Sequence, residues 1–442
     1  MRYFPHTEED IRRMLETIGV ESLDALFSGV PPDCRSSGSM NLPDPLCEWE
    51  LDRKMDEMAG QNAAVPNLTL LLGAGRYHHH IPSIVPALAN RSEFLTAYTP
   101  YQPEISQGTL QAIYEYQTLA ARLMGMDVVT ASHYDGATAL AESLLMAVRK
   151  TGKSTVVVSR AIHPHFRQVI QTYLKPTGFV VVEAGFTDEG TTDLTGIDWT
   201  DAAALAVQSP NFFGCVEPLS RHADAAHGTG ALLVASFTEA LSLGILKNPG
   251  SQGADIVAGE GQSFGLPMGF GGPGLGMLGA RQDLVRTLPG RLIGKTRDRN
   301  GNPGFVLTLA TREQHIRREK ATSNICSNNG HCALTAAIYL ATLGAEGLVR
   351  MARTNHNKAA YLAEKLQEIG MPLVFSAPFF NEFVVQAPPR FEAVRRTLME
   401  KGILAGLSIQ THYPELDNPY LFCATETVSR AEIDRFLAEV KP

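Results

Sequence analysis

The densest group of reactive side chains in the 442-residue sequence is Tyr98-Thr99-Pro100-Tyr101-Gln102-Pro103-Glu104-Ile105-Ser106-Gln107-Gly108. Pro100 and Pro103 hold the run extended. It sets the phenols of Tyr98 and Tyr101, the amides of Gln102 and Gln107, the Glu104 carboxylate and the hydroxyls of Thr99 and Ser106 in one loop, donors and acceptors that suit a small polar ligand. The same composition suits a turn that opens a helix, with Ser106 as its N-cap, so both readings stand at this level.

Other runs carry less. Three adjacent histidines, His78, His79 and His80, point in different directions along a chain, whereas a metal needs converging ligands, so a loop that exposes some of them is expected. Gly274-Leu-Gly276-Met-Leu-Gly279, with Asp298 downstream, satisfies a dinucleotide-binding pattern in letters only. It follows several strands, lies beside Pro267 and Pro273, and leads into Met277-Leu278-Gly279-Ala280 rather than a clear helix. Ser132-His133-Tyr134-Asp135-Gly136-Ala137-Thr138 precedes a helix whose N-terminus would suit a phosphate, but Asp135 repels one and caps the helix instead. His163-Pro164-His165 places an aromatic ring after a strand, where it either stacks on a cofactor or serves a turn.

The elements that position these residues read as α/β. Thr155–Ser159, Phe179–Glu183, Ala203–Gln208, Ala231–Ala235 and Asp255–Ala258 are continuous apolar runs, which predict strands covered on both faces in a largely parallel sheet. Helices are expected over Thr109–Gly125 and Ala137–Arg149, each with an apolar stripe. Residues 1–60 read as an N-terminal helical arm, with Thr7 as N-cap, and residues 61–330 as the large α/β domain. Residues 331–442 read as a smaller α+β domain: a long helix from about Ala333 to Ile369, strands at Phe383–Ala387 and Leu421–Ala424, and a last helix behind a Ser429/Glu432 capping box.

The net charge of −8, without any Lys/Arg-rich run, lacks the footprint of a nucleic-acid or anionic-membrane binder. No signal-peptide core opens the chain and no apolar run reaches the ~18–20 residues of a membrane span, so the cytoplasm is expected. Cys34, Cys47, Cys215, Cys326, Cys332 and Cys423 form no Cys-x-x-Cys pair and are expected as reduced thiols rather than a disulfide framework or zinc site.

Matches along nearly the whole chain converge on one family. They are Arg2-Tyr3-Phe4-Pro5-His6-Thr7, the Tyr98–Gly108 run, Gln208-Ser-Pro-Asn-Phe-Phe-Gly214, Gly269-Phe-Gly-Gly-Pro-Gly274 and Arg318-Glu-Lys-Ala-Thr-Ser-Asn-Ile-Cys326. With them the chain resembles the first subunit of the two-subunit P-proteins, the glycine decarboxylases of the glycine cleavage system. The resemblance implies a type I pyridoxal-phosphate-dependent transferase fold, similar to aspartate aminotransferase. In that fold the Schiff-base lysine lies between a short strand and a glycine-rich loop, and Asp255–Gly274 has this form without a lysine. Gln262 stands where the second subunit of the family has its lysine, and Ser236 about where it has the aspartate that pairs with the pyridine nitrogen.

The resemblance therefore implies that pyridoxal 5'-phosphate is held by the partner subunit and not by this chain. Glycine is decarboxylated there, and its aminomethyl group passes to the lipoyl arm of the H-protein. This chain is then inactive alone and completes the partner's site in a heterodimer or a pair of them. The Tyr98–Gln107 loop is its expected contribution: Tyr98 and Tyr101 as contacts, Thr99 and Gln102 fixing the loop, Glu104 anchoring it. The rival readings are a non-catalytic scaffold, a nicotinamide dehydrogenase, and a self-sufficient pyridoxal-phosphate enzyme using Lys247, Lys295 or Lys320.

Overall fold

The computed structural model describes residues 6–36, 41–65, 67–95, 98–309, 313–325 and 327–441. The Arg2–Pro5 match and Cys326 lie outside the described residues. Two compact units divide the chain, Met1–Ala63 and Ala64–Pro442.

In the first unit, α1 (Glu8–Ile18) starts at a capping box. The Asp10 N–H donates to the Thr7 hydroxyl at 3.2 Å, and the Thr7 N–H donates to the Asp10 carboxylate at 2.9 Å. Gly19 ends the helix in the left-handed region, at φ 82°. α2 (Glu48–Ala59) leaves Trp49, Met55 and Met58 exposed, and neither helix buries a residue.

The second unit runs through β1 (Thr69–Leu71), α3 (Ile84–Ala89), α4 (Ser92–Leu95), α5 (Gln107–Met124), β2 (Val128–Val129), α6 (Gly136–Thr151) and β3 (Thr155–Ser159). It continues through α7 (Pro164–Leu174), β4 (Val180–Ala184), β5 (Ala202–Gln208), α8 (Leu219–His227), β6 (Leu232–Phe237), β7 (Ile256–Glu260) and β8 (Gly276–Ala280). A hairpin of β9 (Leu292–Arg297) and β10 (Pro303–Thr308) and the short α9 (Gln314–Arg317) lead to α10 (Gly330–Glu368). The chain closes with β11 (Glu382–Gln386), α11 (Phe391–Glu400), β12 (Ile403–Ala405), β13 (Leu407–Ser408), β14 (Pro419–Cys423) and α12 (Arg430–Val440).

Seven strands form the main sheet in the order β2-β8-β7-β6-β5-β3-β4. β3 to β7 are mutually parallel, while β8 is antiparallel to β7 and β2 to β8. The glycine pattern ending at Gly279 runs into β8, itself an antiparallel strand, rather than lying in a turn between a parallel strand and an α-helix, so it is not a dinucleotide turn. The apolar runs alternate between faces, as period-2 strands must. Val157, Leu205, Leu233 and Val257 pack with α5, α8 and the start of α10, whereas Val156, Ala204, Val234 and Ile256 pack with α6 and α7. Burial on both faces explains why these strands are unbroken apolar runs in the sequence.

α10 corrects one expectation. By length and composition it contains a stretch apolar enough to cross a membrane, half of it buried in the protein. The helix breaks at Gly344 (φ 61°) and packs on α3 and α5, as a core helix does. The small antiparallel sheet β11-β14-β13 carries its own core with α11 and α12, centred on Phe383, Phe391, Phe422 and Phe436. β1 pairs in parallel with β12, so the chain between residues 69 and 82 enters beside these C-terminal elements. The Ser429/Glu432 capping box starts α12, with N–H to oxygen distances of 2.7 and 3.2 Å.

Candidate functional site

Parallel strands leave a crevice beyond their carboxyl ends, where α/β folds bind ligands. Here it is bounded by the ends of β3, β5, β6 and β7 and the N-terminus of α6, and the chain fills it with its own groups. Gln262 is buried and makes three bonds: its Oε1 accepts the Tyr77 N–H at 3.0 Å, and its Nε2 donates to the carbonyls of Tyr77 at 3.0 Å and Leu266 at 2.7 Å. Glu260, also buried, accepts from the Gly136 N–H at 3.1 Å and the Leu275 N–H at 2.8 Å, with Arg76 at 3.5 Å. Asp135 caps the same helix, accepting from the Thr138 N–H at 2.8 Å. Two carboxylates thus occupy the end of α6 that would attract a phosphate.

His163 caps α7. Its Nδ1 accepts from the His165 N–H at 3.1 Å, which leaves Nε2–H to donate to the Ala74 carbonyl at 3.0 Å. Burial pulls its pKa down to about 4, so it is neutral at pH 7. Gly75, at φ 90°, lies on the ring so closely that a Cβ there would be 3.1 Å from His163 Cδ2. The Cδ2/Nε2 edge of the His163 ring is therefore closed by the backbone of the Gly73–Tyr77 segment. Ser236, buried at the end of β6, has an unpartnered hydroxyl among the described residues.

A buried polar cluster holds that segment down. Glu382 accepts from the Ala74 N–H at 2.6 Å and from the Tyr77 hydroxyl at 2.7 Å. Burial pushes its carboxyl up to about 7 against the pull of those two bonds. His79 lies between Glu239 at 3.0 Å and Glu426 at 2.9 Å. Burial alone would lower its pKa, but the two carboxylates outweigh burial and raise it to about 10, so it is an imidazolium in the fold. His78 contacts the Thr427 hydroxyl at 3.1 Å and His80 points outward. No group of metal-binding side chains occurs among the described residues. The three histidines serve three different ends, one of them a buried charge that the sequence alone did not reveal.

The Tyr98–Gln107 loop is the exposed counterpart. α5 begins at Gln107 rather than Thr109; Ser106 occupies the cap position without a side-chain bond. Gln107 does the fixing expected of Thr99 and Gln102: its amide donates to the carbonyls of Pro103 at 2.6 Å and Phe305 at 2.9 Å and accepts the Phe305 N–H at 2.9 Å. The Thr99 hydroxyl is buried without a partner, and Gln102 and Glu104 are exposed, with no side-chain hydrogen bond or ion pair among the described residues. Pro100 is buried beneath them. Tyr98 is 89% exposed, and its hydroxyl donates to Ser327 at 3.1 Å. Tyr101, half exposed, accepts from the Arg291 guanidinium at 3.0 Å. Arg291, Ser327 and Asn328 were not singled out from the sequence; the Arg318–Cys326 match marked the neighbourhood without showing that the next residues bond to Tyr98 and, through Arg291, to Tyr101.

His133, behind Gly290, is fully buried, and neither ring nitrogen has a partner among the described residues. Burial lowers its pKa to about 4.

The profile of the family "Glycine cleavage system P-protein" matches residues 1–440. The chain belongs to that family. A probable glycine dehydrogenase (decarboxylating) subunit 1 of Desulfotalea psychrophila is 54% identical over 443 residues, 100% of this chain and 98% of that one. Among solved structures, this family member superposes on a glycine decarboxylase (P-protein) of the glycine cleavage system, in inhibitor-bound form. The TM-score is 0.92 at 46% identity, over 100% of this chain and 99% of that one. A sphingosine-1-phosphate lyase of Burkholderia pseudomallei shares the fold alone, with a TM-score of 0.67 at 14% identity over 93% of each chain. The architecture is the type I pyridoxal-phosphate-dependent transferase fold expected from the sequence.

The fold family implies pyridoxal phosphate, and the crevice residues do not fit it. Gln262 offers no amine, the Asp135 carboxylate and the carboxyl of Glu260, whose pKa burial raises, already accept the N–H groups at the phosphate position, and Gly75 lies against His163. Lys247, Lys295 and Lys320 are exposed, on three separate segments, and none belongs to the crevice.

Proposed function

We propose that this chain is the first subunit of a two-subunit glycine dehydrogenase (decarboxylating), and that it acts by completing a site whose cofactor the second subunit holds. The observation that carries the division of labour is Gln262, locked by three bonds to backbone where a Schiff-base amine is needed. Pyridoxal phosphate on the partner supplies the electron sink for decarboxylation, and the lipoyl arm of the H-protein takes the aminomethyl group. This chain's own part is to bind and orient. Tyr98 and Tyr101 project from a loop braced by Gln107, Arg291 and Ser327; Tyr101, whose hydroxyl accepts from Arg291, presents its phenol hydrogen to the carboxylate of glycine at the partner's site, while Tyr98, donating to Ser327, forms part of the wall beside it. Pro100 beneath them, with Thr99, Gln102, Glu104 and Ser106 around them, shapes the wall by which substrate and lipoyl arm enter. A subunit that acts only through another's site needs a stable interface with it, of the size and apolar character of an obligate complex.

The test is borohydride reduction in the presence of pyridoxal phosphate, followed by peptide mapping, on the isolated chain and on the two-subunit complex. The expected result is a pyridoxyl-lysine in the second subunit only. A stoichiometric pyridoxyl group on Lys247, Lys295, Lys320 or any other lysine of this chain would overturn the assignment.

A further inference from the structure

Arg291 is only 6% exposed, yet both terminal nitrogens of its guanidinium are committed to side chains of other segments. One donates to the Tyr101 hydroxyl at 3.0 Å, the other to Asn328 Oδ1 at 2.8 Å. Asn328 in turn donates from Nδ2 to the Ser132 hydroxyl at 2.9 Å. The guanidinium carbon also lies 5.3 Å from the centre of the Tyr101 ring, a cation–π distance, and His315 meets that ring edge-on at 6.2 Å. The backbone of Arg291 is pinned as well, its carbonyl accepting the Ala131 N–H at 2.9 Å. The loop thus hangs on a buried side chain that bridges it to the chain before α10 and to the chain after β2.

Donor and acceptor chemistry gives this bridge a direction. An arginine has five N–H donors and no acceptor, so the Tyr101 oxygen can only accept from it. The phenol hydrogen of Tyr101 is then left to point away from Arg291, on a residue that is 54% exposed. Tyr98 differs, because it spends its hydrogen on Ser327. Tyr101 is the phenol of the loop that is polarised as an outward donor, and an outward donor recognises an anion's oxygen rather than an ammonium group.

We propose that Arg291 is a positioning residue that orients Tyr101 as the hydrogen-bond donor to the substrate's carboxylate; this rests on the reading that the Tyr98–Gln107 loop faces the partner's active site. Lysine cannot substitute, since a single ammonium group on a flexible stem does not bridge Tyr101 and Asn328 in one plane. Because decarboxylation discards the carboxylate, its recognition belongs to substrate binding, and its loss raises KM for glycine more than it lowers kcat.

The experiment uses the assembled two-subunit enzyme with H-protein and measures glycine–bicarbonate exchange for wild type, Tyr101→Phe, Arg291→Lys, Arg291→Met and the double variants. Tyr101→Phe and Arg291→Lys are each expected to raise the glycine KM about tenfold, with kcat changed less than about threefold, the loss of one hydrogen bond to a charged group. The Tyr101→Phe/Arg291→Lys double variant is expected to be no worse than the poorer single variant, because both changes remove the same bond. Should Arg291→Met fail to assemble, the lysine variant decides, since it keeps the charge and most of the packing. A multiplicative loss in the double variant, or a wild-type KM for Arg291→Lys beside a raised KM for Tyr101→Phe, overturns the positioning role alone. A wild-type KM for Tyr101→Phe overturns the placement of the loop itself, and the inference with it.

Discussion

At the residue scale, the decisive side chains are those that take the place of a cofactor's contacts. Gln262 is a neutral amide with every polar atom satisfied, and the carboxyl groups of Asp135 and Glu260 accept the N–H groups at the start of α6 that a phosphate would otherwise use. Restoring one letter therefore does not restore the site. In Gln262→Lys the Tyr77 N–H loses its acceptor and a charge enters a closed region. The variant is expected to be destabilised by about 1–3 kcal/mol in chemical denaturation and to stay colourless with added pyridoxal phosphate. A yellow, stable variant would mean that the crevice is still a cofactor site. That Asp255–Gly274 carries no lysine was legible in the sequence, because it is a question of residue identity. What Gln262 does instead was not, because its partners, Tyr77 and Leu266, are known only once the chain has folded back on itself.

At the element scale, the segment from Gly73 to Pro82 is the part least visible in advance, since its letters suggest a glycine-rich turn and a histidine run. In the fold it lines the crevice, and buried charge holds it: His79 between Glu239 and Glu426, with Asn355 and Asn381 each donating to one of those carboxylates. His79 holds its proton more tightly in the folded chain than in the unfolded one, with a pKa near 10 against 6.5. That proton stabilises the fold fully below about pH 6.5, and its contribution is lost as the pH rises toward about 10. The denaturation midpoint of the wild-type chain is expected to fall between pH 7 and 10, with the slope much reduced in His79→Gln. At pH 7 the variant is expected to be less stable by about 3–5 kcal/mol, the usual cost of breaking a buried ionic group. Equal slopes for the two proteins would show that His79 is neutral in the fold. The strands were legible because their burial on both faces writes a plain apolar run. The antiparallel direction of β8 was not, because strand direction leaves no mark on composition. The Tyr98–Gln107 loop was legible as a cluster, but its bracing from Phe305 and Arg291 was not, since the bonds Gln107–Phe305 and Tyr101–Arg291 each span more than 180 residues.

At the scale of the whole molecule, a fold made for a cofactor has closed its own crevice and kept a loop of exposed phenols elsewhere on the same unit. The proposed function joins these two facts: the chain would work on a site it does not contain. The family and the fold were legible because the matching motifs lie along the whole length. The most direct measurement is glycine-dependent release of CO2 in the presence of H-protein, for this chain alone, the second subunit alone and the two mixed, with a visible spectrum of each. The account predicts a colourless and inactive first sample, a cofactor spectrum in the second, and full activity only on mixing. A yellow sample of this chain alone that decarboxylates glycine would contradict it.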